Sequence, residues 1–282
     1  MDNKEHEKLK LKVFTAFSGY DSQCMALERL KENYPWFDYE LVGWSEIDEP
    51  AIASHNAVFP EAADKNLGDI SKVNWKEVED FDLFTYSSPC QDFSISGKQR
   101  GGEAGSGTRS SLLWECQRTI EEKRPKYCLL ENVKALYSDK KFYPLLMKWK
   151  RTVDSYGYNS FIKVLNAADY DIPQGRERVF MVSIRKDNPD DNTEYYFPAP
   201  MKRTREIEDF LCDDVPEEYY LSDKKVPKFL DLLYNTGDDF DEKSEEHTDM
   251  IERDKEMKAA KRAEEEKKKE AAKIPDNMEQ LF

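Results

Sequence analysis

Short apolar, β-prone runs alternate with helical patterns along the first two thirds of the chain, and this alternation constrains the fold more than any other feature. The predicted strands are 11–17, 39–44, 66–70, 82–86, 127–130, 160–165 and 179–184, and patterns typical of helices include 110–122 and 143–155. Strands that alternate with helices predict an α/β fold with a doubly wound, mostly parallel sheet. Ligands of such sheets bind beyond the carboxyl ends of the strands.

Polar residues lie where five of these predicted strands end. They are Ser18-Gly19, Glu46, Asp69, Cys90 and Glu131. Polar residues commonly follow strands, and that explanation suffices for one or two of these positions but less well for five. We therefore expect a ligand site at this edge of the sheet.

Composition limits the partners and the cofactors. A chain of 282 residues with 39% apolar residues can form one large domain and perhaps a small appendage. The formal net charge of −15 argues against strong nucleic-acid binding by this chain alone but leaves a local basic cleft possible. Five cysteines without a CxxC pair and three scattered histidines predict neither a zinc site nor a disulfide framework, so we expect no metal and a reducing cytoplasm. No apolar leader or membrane span is visible.

The composition divides the chain into three parts. Residues 1–186 are expected to form the domain that carries the site. Residues 187–236 begin as a Pro/Asn/Asp-rich connector and then gain enough apolar residues for a small flap. Residues 237–282 are almost wholly charged and lack an apolar stripe, which predicts a solvated helix or a disordered tail.

The tetrapeptide Ser88-Pro89-Cys90-Gln91 follows the fourth predicted strand. Proline fixes its own φ and restricts the residue before it, so this segment would present a thiol rigidly at the rim of a cleft. A thiol becomes a good nucleophile when a nearby positive charge or a helix N-terminus lowers its pKa. The alternative is a cysteine buried as a small apolar residue, which is the common fate of a lone cysteine.

Three motifs together resemble the C5-cytosine-specific DNA methyltransferase family. That family has Pro-Cys-Gln after its fourth strand, Glu-Asn-Val after its fifth and Gln-x-Arg-x-Arg near its seventh. This chain has Pro89-Cys90-Gln91, Glu131-Asn132-Val133 and Gln174-Gly175-Arg176-Glu177-Arg178, in the same order. The resemblance covers roughly residues 12–185 and continues weakly to about 233. It implies a Rossmann-like fold and a reaction in which S-adenosylmethionine is the methyl donor.

The resemblance also implies catalytic roles for Cys90, Glu131 and Arg176. Cys90 would attack C6 of cytosine, Glu131 would bind N3 and N4 with a carboxyl whose pKa a desolvated pocket raises, and Arg176 would hold the base. Because C6 is hidden in a duplex, the substrate would be DNA with a flipped cytosine. The predicted substrate-binding residues are Gln91, Asn132, Gln174 and Arg178. Of these, Arg178 is expected to contact a phosphate or to have a structural role. Residues 94–108 match the family's mobile catalytic loop.

The same resemblance assigns the cofactor residues. Phe17-Ser18-Gly19-Tyr20-Asp21 aligns with the family's Phe-x-Gly-x-Gly turn, and Asp21 departs from its second glycine. Glu46 would bind the ribose hydroxyls, as an acidic residue after the second strand does in dinucleotide folds. Ile47 would pack on adenine and Asp69 would accept from its amino group. Ile70 and Pro89 complete the predicted cofactor set.

The family's target-recognition domain and last two motifs are not found. One interpretation is a split methyltransferase in which a second polypeptide supplies recognition; others are a truncated or decayed copy and a non-catalytic binding module. The set of Cys90, Glu131 and Arg176 speaks against a binding module. An RNA substrate is a further alternative, because a tRNA-modifying branch shares the Cys and Glu motifs, although nothing diagnostic of it is visible.

Overall fold

The computed structural model describes residues 9–89, 109–188, 193–222 and 225–227. Six strands form one sheet in the order β2-β1-β3-β4-β6-β5. Strands β2, β1, β3 and β4 pair in parallel, whereas β6 pairs antiparallel with both β4 and β5. The strands are β1 (Leu9–Ala16), β2 (Phe37–Ser45), β3 (Leu83–Tyr86), β4 (Tyr127–Val133), β5 (Tyr158–Asn166) and β6 (Glu177–Arg185). The predicted α/β fold with a mostly parallel sheet is confirmed.

Within the described ranges, five α-helices connect or flank the strands. They are α1 (Ser22–Asn33), α2 (Glu49–Val58), α3 (Glu115–Lys123), α4 (Ala135–Ser138) and α5 (Tyr143–Ser155). Short 3-10 helices lie at Pro60–Lys65, Ile70–Lys72, Arg109–Trp114, Ala167–Tyr170, Ile207–Phe210 and Glu217–Tyr219. The prediction of helix at 143–155 is confirmed, whereas the pattern at 110–122 begins as a 3-10 helix and becomes α-helical only at Glu115.

The predicted third strand at 66–70 is wrong. Asn66 forms a single parallel bridge with Trp44, and the chain then turns at Gly68, whose φ is +66°. The Asn66 side chain explains the turn, since its Oδ1 accepts from the backbone N–H of Glu46 at 3.2 Å and of Gly68 at 3.0 Å. Backbone groups that bond to a side chain cannot also extend the ladder of a strand.

Two apolar clusters hold the sheet. Along β1, Val13 belongs to one cluster and Phe14 to the other, as expected for side chains that alternate between the faces of a strand. Phe14 packs closely on Gly43 of β2, where an added Cβ would lie 2.8 Å from the phenyl ring. Trp149 of α5 is fully buried and donates from Nε1 to the Tyr86 hydroxyl at 3.1 Å.

The first of two compact units extends to Phe210, beyond the boundary predicted at residue 186. The backbone N–H of Met201 donates to the Asp169 carbonyl at 2.8 Å, and Asp171 accepts from the N–H groups of Thr204 and Arg205. The connector is therefore tied to the segment that precedes Gln174.

The second unit begins at Leu211. Most of its described apolar side chains, expected to form a flap, are exposed, whereas Val226 is half-buried. The exposed ones are Leu211, Val215, Tyr219, Tyr220 and Leu221. The charged tail at 237–282 lies outside the described residues. Within the described ranges, no helix has the length and apolar character needed to cross a membrane.

Candidate active site

The turn after β1 has an unusual backbone. Phe17, Gly19 and Asp21 all have positive φ angles, of 56°, 58° and 64°. Residues other than glycine rarely adopt this conformation, and those that do cluster at functional sites. The N–H groups of Phe17 and Ser18 both donate to the Ser45 carbonyl, which fixes the turn against the end of β2.

Space is open at the centre of this turn. A Cβ added at Gly19 would meet no atom within 4 Å. The Ser18 hydroxyl, by contrast, points into the protein and donates to the Thr15 carbonyl at 3.1 Å. Of the residues predicted here, Gly19 thus leaves room for a ligand, whereas the side chain of Ser18 is turned away.

Glu46 connects the turn to the end of β2. Its Oε2 accepts from the Gly19 N–H at 3.0 Å, and its Oε1 accepts from the N–H groups of Ile47 and Asp48 at 2.8 and 3.0 Å. A carboxylate with three backbone donors is held in one orientation. Glu46 is therefore placed where the fold predicts an acidic ribose ligand.

Ile47 and Ile70 have opposite environments. The Ile47 side chain is 66% exposed next to Glu46, which is unusual for an isoleucine and suits a residue that packs on a flat ligand. The Ile70 side chain is buried in the core, so only its backbone is available to a ligand.

Asp69 ends the segment that follows Asn66. It accepts from the Ser71 hydroxyl at 2.7 Å and from the Ser71 N–H at 3.0 Å. These hydrogen bonds, the hydroxyl's foremost, lower the pKa of Asp69, so the carboxyl is ionised and accepts only. Its Oδ2 also lies 3.5 Å from the Lys72 ammonium, which is 82% exposed, so an amino donor of a ligand would bind beside this ion pair.

Asn132 joins the two strand ends that carry the motifs predicted to be catalytic. It is only 2% exposed, and its Nδ2 donates to the Ser88 carbonyl at 3.1 Å while its Oδ1 accepts from the Val133 N–H at 2.9 Å. Since Ser88 precedes Pro89, this bond brings the start of the Pro-Cys-Gln motif to the Glu-Asn-Val motif. Cys90 and Gln91 themselves lie outside the described residues, as does the loop at 94–108.

Glu131 makes an ion pair with Arg178 rather than with Arg176. Its Oε1 lies 3.1 Å from Nε of Arg178, on the antiparallel neighbour β6. Arg176 and Gln174 are exposed in the approach to β6. Glu131 keeps 26% of its side-chain surface exposed, so the desolvated pocket expected for it is not closed by the described residues.

Three other cysteines lie in the interior. Cys24, Cys116 and Cys128 are buried, and burial raises the pKa of each thiol. They therefore stay protonated and unreactive near neutral pH. Cys212 is exposed, outside the unit that carries the site. Among the described residues, no group of three metal-ligating side chains occurs.

Two contacts were not foreseen from the sequence. Asn66 positions Glu46, and its only signal was a polar residue inside an expected strand. Gln23 of α1 donates from Nε2 to the Ser87 hydroxyl at 3.0 Å, and thus joins the helix after the first turn to the segment before Pro89.

Among known proteins, the chain is similar in sequence to type II methyltransferases. The type II methyltransferase M2.ScrFI of Lactococcus lactis subsp. cremoris is 37% identical over 278 residues, covering 79% of this chain and 74% of the relative. The type II methyltransferase M.HhaI of Haemophilus parahaemolyticus is 35% identical, covering 79% of this chain and 63% of the relative. The chain thus spans about three quarters of one relative and under two thirds of the other.

Solved structures support the fold. Entamoeba histolytica methyltransferase EhMeth superposes with a TM-score of 0.60 at 18% identity, over 77% of this chain and 65% of that one. Schizosaccharomyces pombe Dnmt2 methyltransferase gives 0.56 at 18% identity, over 78% and 65%. The family model of C-5 cytosine-specific DNA methylases matches residues 11–280. The chain belongs to the C-5 cytosine-specific DNA methylase family.

Proposed function

We propose that this chain transfers a methyl group from S-adenosylmethionine to C5 of cytosine in DNA, with Cys90 as the nucleophile. The observation that carries the proposal is the buried hydrogen bond from Asn132 to the Ser88 carbonyl. It places the segment that leads into Cys90 beside the strand end that carries Glu131.

Cys90 begins the reaction. Its thiolate forms a bond to C6 of a flipped cytosine, and the electrons of the C5–C6 double bond become available at C5. C5 then takes the methyl group, the bond from that methyl group to the donor sulfur breaks, and S-adenosylhomocysteine leaves. Glu131 binds N4 and shares a proton at N3. Once a base removes the C5 proton, the double bond re-forms, the sulfur–C6 bond breaks and Cys90 leaves as thiolate.

The arginines stabilise charge around this step. Arg178 orients the Glu131 carboxyl through their ion pair. Arg176, which is exposed at the edge of the same site, binds the base or a phosphate. Both roles use the planar guanidinium, whose N–H donors match carboxylate and phosphate oxygens.

The residues at the carboxyl ends of β1 and β2 fit S-adenosylmethionine. When bound, it supplies a methyl group on a positively charged sulfur. Glu46 binds the ribose hydroxyls, the exposed Ile47 packs on adenine, and Asp69 accepts from the adenine amino group. The open space at Gly19 lets the rest of the ligand approach the backbone.

Covalent trapping tests the proposal. Duplex DNA containing 5-fluorocytosine cannot lose its C5 substituent as a proton, so the Cys90–C6 bond persists and the adduct migrates slowly in denaturing gels. We expect Cys90→Ser to abolish the adduct and Cys212→Ser, at the exposed cysteine, to leave it unchanged. An adduct that survives Cys90→Ser would rule out the assignment.

A second polypeptide for target recognition is part of the proposal. The net charge of −15 suits a basic partner, and a reducing cytoplasm suits a catalytic thiol. The trapping reaction is therefore run with and without the product of the adjacent reading frame. No adduct in either condition, with S-adenosylmethionine bound, would favour the alternative of a non-catalytic binding module.

A further inference from the structure

Asp21 is a fully buried carboxylate at the end of the cofactor turn. It is 0% exposed. Its Oδ1 accepts from the Cys24 N–H at 3.1 Å, and its Oδ2 accepts from the Thr15 hydroxyl at 2.7 Å. One side chain thus joins the end of β1 to the first turn of α1.

His55 of α2 approaches the same carboxylate. Its Nε2 lies 3.5 Å from Oδ2 of Asp21, and both side chains are 0% exposed. Its ring stacks on Trp44 with centroids 3.6 Å apart and an angle of 14° between the planes. Neither ring nitrogen has a hydrogen-bond partner among the described residues, and the ion-pair distance to Asp21 is the polar contact that the structure gives for His55.

The pair connects the two halves of the proposed cofactor site. Asp21 ends the turn that contains Gly19, while His55 lies on the helix that begins directly after Glu46, Ile47 and Asp48. On the ligand side, Glu46 already bonds to Gly19. The contact between Asp21 and His55 is a buried connection between the turn and α2, in addition to the bonds of the turn to Ser45 and Glu46.

Capping alone does not account for this arrangement. Glycine also adopts a φ near 64°, at no steric cost and without a buried charge, and a buried charge is unfavourable unless it is paired. An exposed capping residue, such as Asp48 on α2, gains the same hydrogen bond without desolvation.

We propose that Asp21 and His55 are positioning residues, whose buried contact sets the spacing between the glycine turn and α2 and thereby the affinity for S-adenosylmethionine. The inference rests on the proposed function, because it concerns the same cofactor site. It differs from a purely structural role, in which loss of the pair would lower stability alone.

Calorimetric titration of the full chain with S-adenosylhomocysteine separates these roles. His55→Phe keeps a flat ring against Trp44 and removes the contact with Asp21; Asp21→Asn keeps the size and removes the charge. We expect each to raise the Kd about tenfold at a temperature where thermal unfolding shows the variant folded. Ser160→Ala, on β5, is the control, since it removes a buried hydrogen bond to Ser183 of β6, away from the site.

The outcomes are distinguishable. A lower melting temperature with unchanged Kd is expected for Ser160→Ala only; the same result for His55→Phe would overturn the inference while leaving the proposed function intact. If Asp21→Asn does not fold, the Kd of His55→Phe for S-adenosylhomocysteine alone tests the inference. Failure of the wild-type chain to bind S-adenosylhomocysteine would overturn both proposals.

Discussion

Replacing Asn132 by aspartate should destabilise the protein in a way that depends on pH. The two side chains have nearly the same size, so Asn132→Asp creates no cavity. It removes the Nδ2–H group that donates a hydrogen bond to the Ser88 carbonyl at 3.1 Å. Both residues are buried, since Asn132 is 2% and Ser88 3% exposed. The ionised form would place a carboxylate against a carbonyl oxygen.

The magnitude follows from this burial. A buried acceptor that loses its donor costs about 1–3 kcal/mol. One kcal/mol shifts the melting temperature of a domain of this size by about 2–4 °C. We therefore expect a loss of roughly 4–8 °C at pH 8 for a loss of about 2 kcal/mol.

The sign of the pH dependence is opposite to that of a salt-bridged carboxyl. Burial and the Ser88 carbonyl raise the pKa of the introduced carboxyl above its value of about 4 in the unfolded chain, because its protonated form can donate as the amide did. Stability is then retained at low pH and lost as the pH rises through the folded-state pKa. The difference from wild type should be smaller at pH 5 than at pH 8.

Differential scanning calorimetry at the two pH values measures this effect. Asn33→Asp makes the same chemical change at an exposed hydrogen bond to the Arg29 carbonyl and should cost less than about 0.5 kcal/mol. If Asn132→Asp melts within a degree of wild type at pH 8, the hydrogen bond between the two motifs does not exist as described.

Two further predictions concern the cofactor site and the connector. Glu46→Ala removes an acceptor that three backbone N–H groups share, so calorimetry should find a Kd for S-adenosylhomocysteine at least about tenfold higher, whereas exposed Glu49→Ala should leave it unchanged. Hydrogen bonds to the connector, above all the one from the Thr204 N–H, lower the pKa of Asp171. These bonds are therefore present at neutral pH and are lost as the pH falls through that lowered pKa. Asp171→Gly, which keeps the φ of 63° accessible, should accelerate hydrogen exchange at Thr204 at neutral pH; unchanged exchange would show that the carboxylate is not the tether.

The fold was predictable where one periodicity dominates. Helix α5 was found at 143–155 because Leu145, Leu146, Trp149 and Val153 recur at helical spacing, and all four are buried. The strand order was not predictable, since an apolar run identifies a strand but not its neighbour. The insertion of β6 between β4 and β5, antiparallel to both, is thus a finding of the structure.

The site was predictable from strand ends and only partly from side-chain partners. Glu46 directly follows β2, at the carboxyl end of a parallel strand. Asp69, by contrast, follows a single bridge at Asn66 and the turn at Gly68 rather than a strand. Spacing alone could not show which arginine pairs with Glu131, because Arg176 and Arg178 lie just before and just after the start of β6. Only the antiparallel pairing of β6 with β4 brings Arg178 to Glu131. In the sequence, Asp21 shows only as a departure from the family's second glycine, and its buried contacts become visible only in the fold.

The described part of the site relies on side chains that bind backbone. Glu46 accepts from three N–H groups, Asn66 binds the backbone of Glu46 and Gly68, and Asn132 binds the carbonyl of Ser88. Each of these side chains fixes the path of a loop at the carboxyl edge before a ligand arrives. Ordering a loop when a ligand binds reduces affinity, because the conformational entropy of the loop is lost at that step. In a site whose loops are already ordered, that entropy is lost during folding instead. Substitutions at these positions should therefore change stability and affinity together, whereas substitution of the exposed Ile47 should change affinity alone.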